Sequence, residues 1–158
     1  MNRLRDARPD DEDFVVGLVP RFVEHGAADA HSPETVIEGT SRVLREALRA
    51  LPDDALFLIA EDDAGVRAGF VYAVTKRDFF TTEKYLHISE IATARSGGGA
   101  GAALMDGAEA WALAHGYRFV SLNVVEENAP AQRFYERRGY ALGQRHYVRR
   151  FGPETKVE

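Results

Sequence analysis

The sequence predicts an α/β (α+β) architecture, a mixed β-sheet with helices on both faces, and three observations support it. Apolar periodicity orders the chain as β, α, α, β, β, β, glycine loop, α, β, α, β. Leu56–Glu61 and Arg67–Lys76 flank the turn Asp62-Asp63-Ala64-Gly65, the pattern of an antiparallel hairpin. Tyr85–Thr93 runs through a glycine loop and a helix into Phe119–Val125, a βαβ unit that implies a parallel pair. A sheet with both kinds of neighbour needs helices to cover it, and the order supplies them.

Each element has a local reason. Asn2–Ala7 reads as a short edge strand. Pro9 through Asp13 places acid at a helix start, where it suits the dipole, and Phe14, Val15, Leu18, Val19 and Phe22 follow at helical spacing. Pro20 kinks or splits that helix. Glu24–His31 is poor in apolar residues and reads as a loop. Ser32-Pro33 opens a second helix as N-cap and first residue, and the helix stops near Pro52. Ala100–His115 is a helix with Gly116 as its stop, and Asn128-Ala129-Pro130 opens a short helix that ends at Gly139. Tyr140–Phe151 reads as one or two final strands, followed by a loose charged tail.

With 158 residues, 45% hydrophobic, the chain 1–158 suits one domain with one core. A net charge of −5 makes nucleic acid a poor partner. The absence of cysteine excludes disulfides, thiolate nucleophiles and cysteine zinc sites, and makes a reducing cytoplasm the expected setting. The charged start is no secretory signal, and no apolar run approaches membrane-spanning length, so no membrane partner is expected. The five histidines show no paired metal spacing, so no metal is expected.

The chemistry centres on Ile88 to Leu104. There an apolar run breaks into Arg95-Ser96-Gly97-Gly98-Gly99-Ala100-Gly101-Ala102 and continues as a helix. Glycine lets a ligand touch the backbone, and the helix start offers unpaired N–H groups and positive potential to phosphate. No Lys-Ser or Lys-Thr follows, which excludes a P-loop. Gly97-x-Gly99-x-x-Ala102 matches the dinucleotide fingerprint, but too few parallel strands are in prospect for that fold.

The second constellation, Asn128, Ala131, Phe134, Tyr135, Gly139 and Tyr140, separates these readings. Together with the glycine loop it resembles the GNAT-type N-acetyltransferase superfamily. That pattern is a strand, a loop Arg/Gln-x-x-Gly-x-Gly/Ala, a helix, a strand, then Asn…Ala…Phe-Tyr…Gly-Phe/Tyr. The resemblance covers Phe57–Phe151, with one departure. With Gly99 and Gly101 as the two glycines, the Arg/Gln position falls on Ser96, and Arg95 is one residue early.

The resemblance implies a GNAT-like fold with splayed parallel strands, acetyl-CoA as co-substrate, and an amine acceptor that is a small molecule or a peptide. The pantetheine arm would pair with the backbone edge of Ile91, Ala92 and Thr93, like an added strand. Its diphosphate would sit on Gly97 to Ala102, with Arg95 or Ser96 beside it, and an N–H near Ile91 would face the thioester oxygen. An alkyl ammonium with a pKa of about 10.4 must lose a proton before it attacks. Glu90 is the candidate base, with Glu126 or Glu127 as substitutes; facing solvent or pairing with an arginine is its ordinary alternative. Tyr135 is the candidate acid toward the departing sulfur, against plain packing beside Phe134. Asn128 would cap its helix and bond the cofactor arm.

The remaining residues read more plainly. Strand alternation puts His87 and Glu90 on opposite faces. Phe79 and Phe80 would either close over the acceptor or pack at a hairpin, and Arg137 and Arg138 read as a solvated helix end. A non-catalytic acyl-CoA sensor and a dinucleotide-binding domain are the alternatives to an enzyme. The acceptor is open, and so is oligomeric state, a homodimer being the commonest closed assembly.

Overall fold

The computed structural model describes residues 1–155. Its elements are β1 (Arg3–Asp6), α1 (Glu12–Leu18), α2 (Pro33–Arg49), β2 (Ala55–Glu61), β3 (Arg67–Arg77), β4 (Lys84–Thr93), α3 (Ala100–Ala114), β5 (Val120–Leu122) and α4 (Ala129–Arg137). Pro20 splits the first helical region: α1 ends at Leu18, and Val19–Val23 continues as a 3₁₀ turn. Ser32 caps α2, its Oγ accepting the Thr35 N–H at 3.2 Å.

One sheet runs in the order β1-β2-β3-β4-β5, antiparallel throughout except for the parallel β4–β5 pair. A single parallel pair rules out the dinucleotide-binding architecture, which needs several. Val15, Leu44, Phe57, Ile59 and Phe70 fill the layer under α1 and α2. Leu56, Val71, Leu86, Leu104 and Met105 fill the layer under α3. Each such side chain contributes about 1.5–3 kcal/mol on burial. No helix is long and apolar enough to cross a membrane among the described residues.

An ion network ties the sheet edge to α1. Asp11 is fully buried. It accepts from Arg5 of β1 at 2.8 and 2.9 Å, from Arg67 of β3 at 2.6 Å and from the Arg8 N–H at 2.7 Å. Glu61 of β2 accepts from Arg5 at 2.9 Å and from Arg3 at 2.7 Å.

Four expectations are corrected. β5 is only Val120–Leu122, not Phe119–Val125. The strands expected over Tyr140–Phe151 do not form, and residues 141–155 share no main-chain hydrogen bond among the described residues. Alternation alone does not make a strand; it needs an edge to pair with, and β5 offers three residues. Side chains hold the segment instead, drawing it to the loop before α2. Glu154 accepts from the Ser32 N–H at 3.1 Å and meets His31 at 2.6 Å, and His146 meets Asp29 at 3.2 Å. The tail is therefore anchored at Glu154; residues 156–158 lie outside the described residues. Arg138 is not a solvated helix end: it bridges α4 to α3 through Asp106 at 2.6 Å and Glu109 at 2.8 Å.

Candidate active site

The site begins where two strands part. β4 pairs with β5 over Leu86–Ile88 only, against Val120–Leu122. On its other edge it stays paired with β3 as far as Thr93. Glu90, Ile91, Ala92 and Thr93 therefore present one main-chain edge to no strand. The parting coincides with a β-bulge. Ala73 faces Ile88 and Tyr72 faces Glu90, so Ser89 is an extra residue with no partner.

The bulge exchanges the two faces of β4. Leu86 and Ile88 pack under α3, whereas Ala92 packs under α1 and α2. Regular alternation would have put these residues on one face. His87 faces Val74 and Glu90 faces Tyr72, both in the layer under α1 and α2, so His87 and Glu90 share a face. The opposite-face expectation fails for that reason.

Beyond Thr93 the chain turns through Arg95 and Ser96, both exposed, into the glycine loop. Gly97 and Gly99 have φ of 77° and 78°, a left-handed backbone that a β-carbon would strain. Asn2 steadies the loop by donating to the Gly98 carbonyl at 3.0 Å. Helix α3 starts at Ala100, and its first internal bond runs from the Ala103 N–H to the Gly99 carbonyl at 3.0 Å. The N–H groups of Ala100, Gly101 and Ala102 are left without internal partners, as at any helix start. A β-carbon on Gly101 would lie 3.7 Å from the Phe134 ring and 3.8 Å from Thr93 Cγ2, so the loop, α4 and the end of β4 converge.

The candidate titratable groups differ in their surroundings. No ion pair or hydrogen bond meets Glu90 among the described residues, and burial pushes its carboxyl up to about 7. Burial also pushes the Tyr135 hydroxyl up to about 12. Tyr135 packs edge-on between Phe134 and Tyr140. Asn128 caps α4, its Oδ1 accepting the Ala131 N–H at 3.2 Å. Glu126 is exposed and pairs weakly with Arg145 at 3.5 Å, and Glu127 lies beside Gly26.

The match to the acetyltransferase (GNAT) family model spans residues 24–140, which includes the strand gap, the loop and α4. This chain is a GNAT acetyltransferase. The same fold is found in solved structures. A Pyrococcus furiosus protein named as an acetyl transferase is 24% identical, with a TM-score of 0.74 over 96% of this chain and 100% of that one. The aminoglycoside N-acetyltransferase AAC(6')-Iy, bound to the bisubstrate analogue CoA-S-monomethyl-acetylneamine, is 19% identical, with a TM-score of 0.69 over 97% and 99%. Glucosamine-6-phosphate N-acetyltransferase from Arabidopsis thaliana is 17% identical, with a TM-score of 0.67 over 96% and 99%. At these identities the likeness is one of fold. The sequence matches no curated protein significantly.

Two features of the candidate site escape sequence reasoning. The bulge at Ser89 has no readable signal. Arg21 donates to the Thr93 carbonyl, so one group of the expected free edge is already taken. Phe79 and Phe80 meet edge to face at the β3–β4 hairpin tip, 89% and 88% exposed. Lys84 and Thr93 are the two ends of β4, about 30 Å apart, and the gap opens at the Thr93 end. The two phenylalanines therefore sit at the hairpin tip, at the other end of β4 from Thr93.

Proposed function

We propose that the enzyme transfers an acetyl group from acetyl-CoA to a primary amine by direct attack in a ternary complex. The observation that carries this reading is the parting of β4 from β5. It leaves a main-chain edge free, with glycine-loop N–H groups at one end and the partnerless Glu90 carboxyl beside it. The whole chain acts as one acetyltransferase unit.

The residues fit acetyl-CoA, which supplies an activated acyl thioester. N–H groups of Gly97, Gly98, Gly99, Ala100, Gly101 and Ala102 would hold its diphosphate, with the exposed Arg95 and Ser96 beside them. Ile91 would carry the free edge that pairs with its amide arm, joined by whatever Arg21 leaves free on Thr93, while the Ala92 main chain, in phase with the Ala94–Ala68 bond, faces β3. Asn128 would keep its cap and turn its remaining amide to the arm. Glu90, ionising near neutrality, accepts a proton from the acceptor ammonium and so frees the nitrogen lone pair. Tyr135 keeps its proton at neutral pH and donates it, or a hydrogen bond, to the departing sulfur.

Two measurements test this reading. Acetyl-CoA at about 100 times its Kd should stabilise the fold by about 2.7 kcal/mol, a Tm rise of roughly 5–10 °C. Thiol release should then be followed with an aminoglycoside, glucosamine 6-phosphate, a polyamine and a peptide with N-terminal alanine. A Tm rise without thiol release from any of these amines would leave the acyl-CoA sensor in place of the enzyme. No Tm rise at millimolar acetyl-CoA would remove both.

A further inference from the structure

The bulge at Ser89 does more than expose a main-chain edge. It brings a histidine onto the face of the candidate base, in a place where only one of its ring nitrogens is engaged. His87 and Glu90 stand opposite Val74 and Tyr72, two ladder steps apart, which separates their α-carbons by about 7 Å. Side chains on one face at that distance reach each other directly or through one water. His87 is also the central residue of the three that join β4 to β5, at the root of the gap. Its Nδ1 lies 2.8 Å from Ser121 Oγ on β5, directly opposite it in the parallel pair. That bond fixes the ring and leaves Nε2 without a protein partner among the described residues.

We propose that His87 relays to solvent the proton that Glu90 takes from the acceptor amine, with Ser121 orienting the ring. The proposal rests on the reading of Glu90 as the base. The N–H bond of the ammonium breaks and its proton passes to the Glu90 carboxylate. The O–H bond so formed then breaks, and the proton moves to His87 Nε2, directly or through one water. The imidazolium gives up this proton to bulk water, and Glu90 is again a carboxylate. No electrons move and no other reactant is needed. His87 touches neither acceptor nor thioester in this scheme, so it is a positioning residue for the proton.

The electrostatics around the pair are compatible with a relay. Burial, and then the charge of Lys76 on β3, hold the His87 imidazolium below its ordinary range, so the ring rests neutral and can accept. Other titratable or charged groups on this side include Tyr85, two residues before His87 and opposite Lys76, Tyr72 on β3, Glu46 of α2 acting on Tyr72, and Arg21, which reaches β4 at the Thr93 carbonyl. The step from Glu90 to His87 runs slightly uphill, because Glu90 is raised and His87 lowered, and loss of the proton to bulk water draws it forward.

The test uses the full chain and two readouts. In ¹⁵N-histidine NMR, His87 should appear as the Nδ1–H tautomer, and Glu90→Gln should shift its titration midpoint by at least about half a pH unit. In the thiol-release assay, with the most reactive amine of the panel above, Glu90→Gln should remove activity. His87→Gln should lower kcat about 10–50-fold with the KM for acetyl-CoA unchanged, and Ser121→Ala should lower it about 3–5-fold. Imidazole buffer should restore part of the kcat of a His87→Ala variant, which a structural role would not allow. If Glu90→Gln is inactive while His87→Gln keeps the wild-type kcat and pH profile, the relay is overturned and the base reading survives. If Glu90→Gln is fully active, the base reading falls and the relay falls with it. Should no panel amine react, the enzyme reading falls and the relay with it; should His87→Gln fail to fold, the NMR arm decides: a His87 midpoint indifferent to Glu90→Gln overturns the relay.

Discussion

Asp11 accepts hydrogen bonds from Arg5, Arg67 and the Arg8 main chain, whereas Glu90 meets no cation and no donor among the described residues. Both are carboxylates withdrawn from water, and their surroundings push them in opposite directions. Burial alone would raise both. At Asp11 the hydrogen bonds from Arg5, Arg8 and Arg67 outweigh it and hold the carboxyl well below the usual carboxylate range. At Glu90 nothing opposes burial, and the carboxyl ionises near 7. A paired buried charge holds parts of a fold together; an unpaired one costs stability and stays free to exchange a proton.

The largest effect that would break this comparison is on chemistry. Glu90→Gln should lower kcat by about 10²–10⁴-fold, the range for a general base. Its Tm should be unchanged or higher, because a partnerless charge has been removed. A wild-type kcat in this variant would end the functional half of the comparison. Next in size, Asp11→Ala should cost about 3–5 kcal/mol, because it strands Arg5 and Arg67. Urea unfolding measures this, and kcat per folded molecule should hold. A loss below 1 kcal/mol would mean that the network does not anchor the β1 edge. Tyr135→Phe should then lower kcat by about 10²-fold with little change in acetyl-CoA affinity, read from steady-state kinetics beside a binding isotherm.

The pH responses sharpen the contrast further. The acid limb of kcat should rise about tenfold per pH unit and level off near pH 7, and no such limb should remain in Glu90→Gln. The stability contributions run in opposite senses. Glu90 has a raised folded-state pKa. Below about 4.5 it is protonated in both states and costs nothing; between 4.5 and about 7 the folded state alone keeps the proton, and stability falls as pH rises. Asp11 has a depressed folded-state pKa. Its contribution is present above the ordinary value of 3.8 and is lost as pH falls below it. Wild-type Tm should therefore decline from pH 5 to pH 7.5, and Glu90→Gln should remove that decline. The smallest effect is at the cap of α4: Asn128→Ala should cost about 1 kcal/mol, seen as a small Tm loss.

Much of this was open to reading from local chemistry. The splitting of α1 at Pro20, the Ser32 and Asn128 caps, the β2–β3 turn and the glycine loop are each governed by a few adjacent residues, and all of them are present. The motif Asn128…Tyr140 marks the family through residue types and spacing alone. The failures lie at longer range. The strand pattern over Tyr140–Phe151 is real, yet the segment pairs with nothing and is drawn instead to Asp29, His31 and Ser32. Arg138 looked like a surface cation because its partners, Asp106 and Glu109, lie about thirty residues away on α3.

By itself, then, the sequence determined the main helices, the β2–β3 hairpin, the parallel pair, the glycine loop and the family. These follow from backbone sterics and side-chain period, which act over a few residues. Only the tertiary structure decided that Ser89 is squeezed out of register, that His87 and Glu90 come to share a face, and that Glu90 is left half-buried and unpaired. Register and burial depend on which distant residues stand opposite, and no short stretch of chain carries that information.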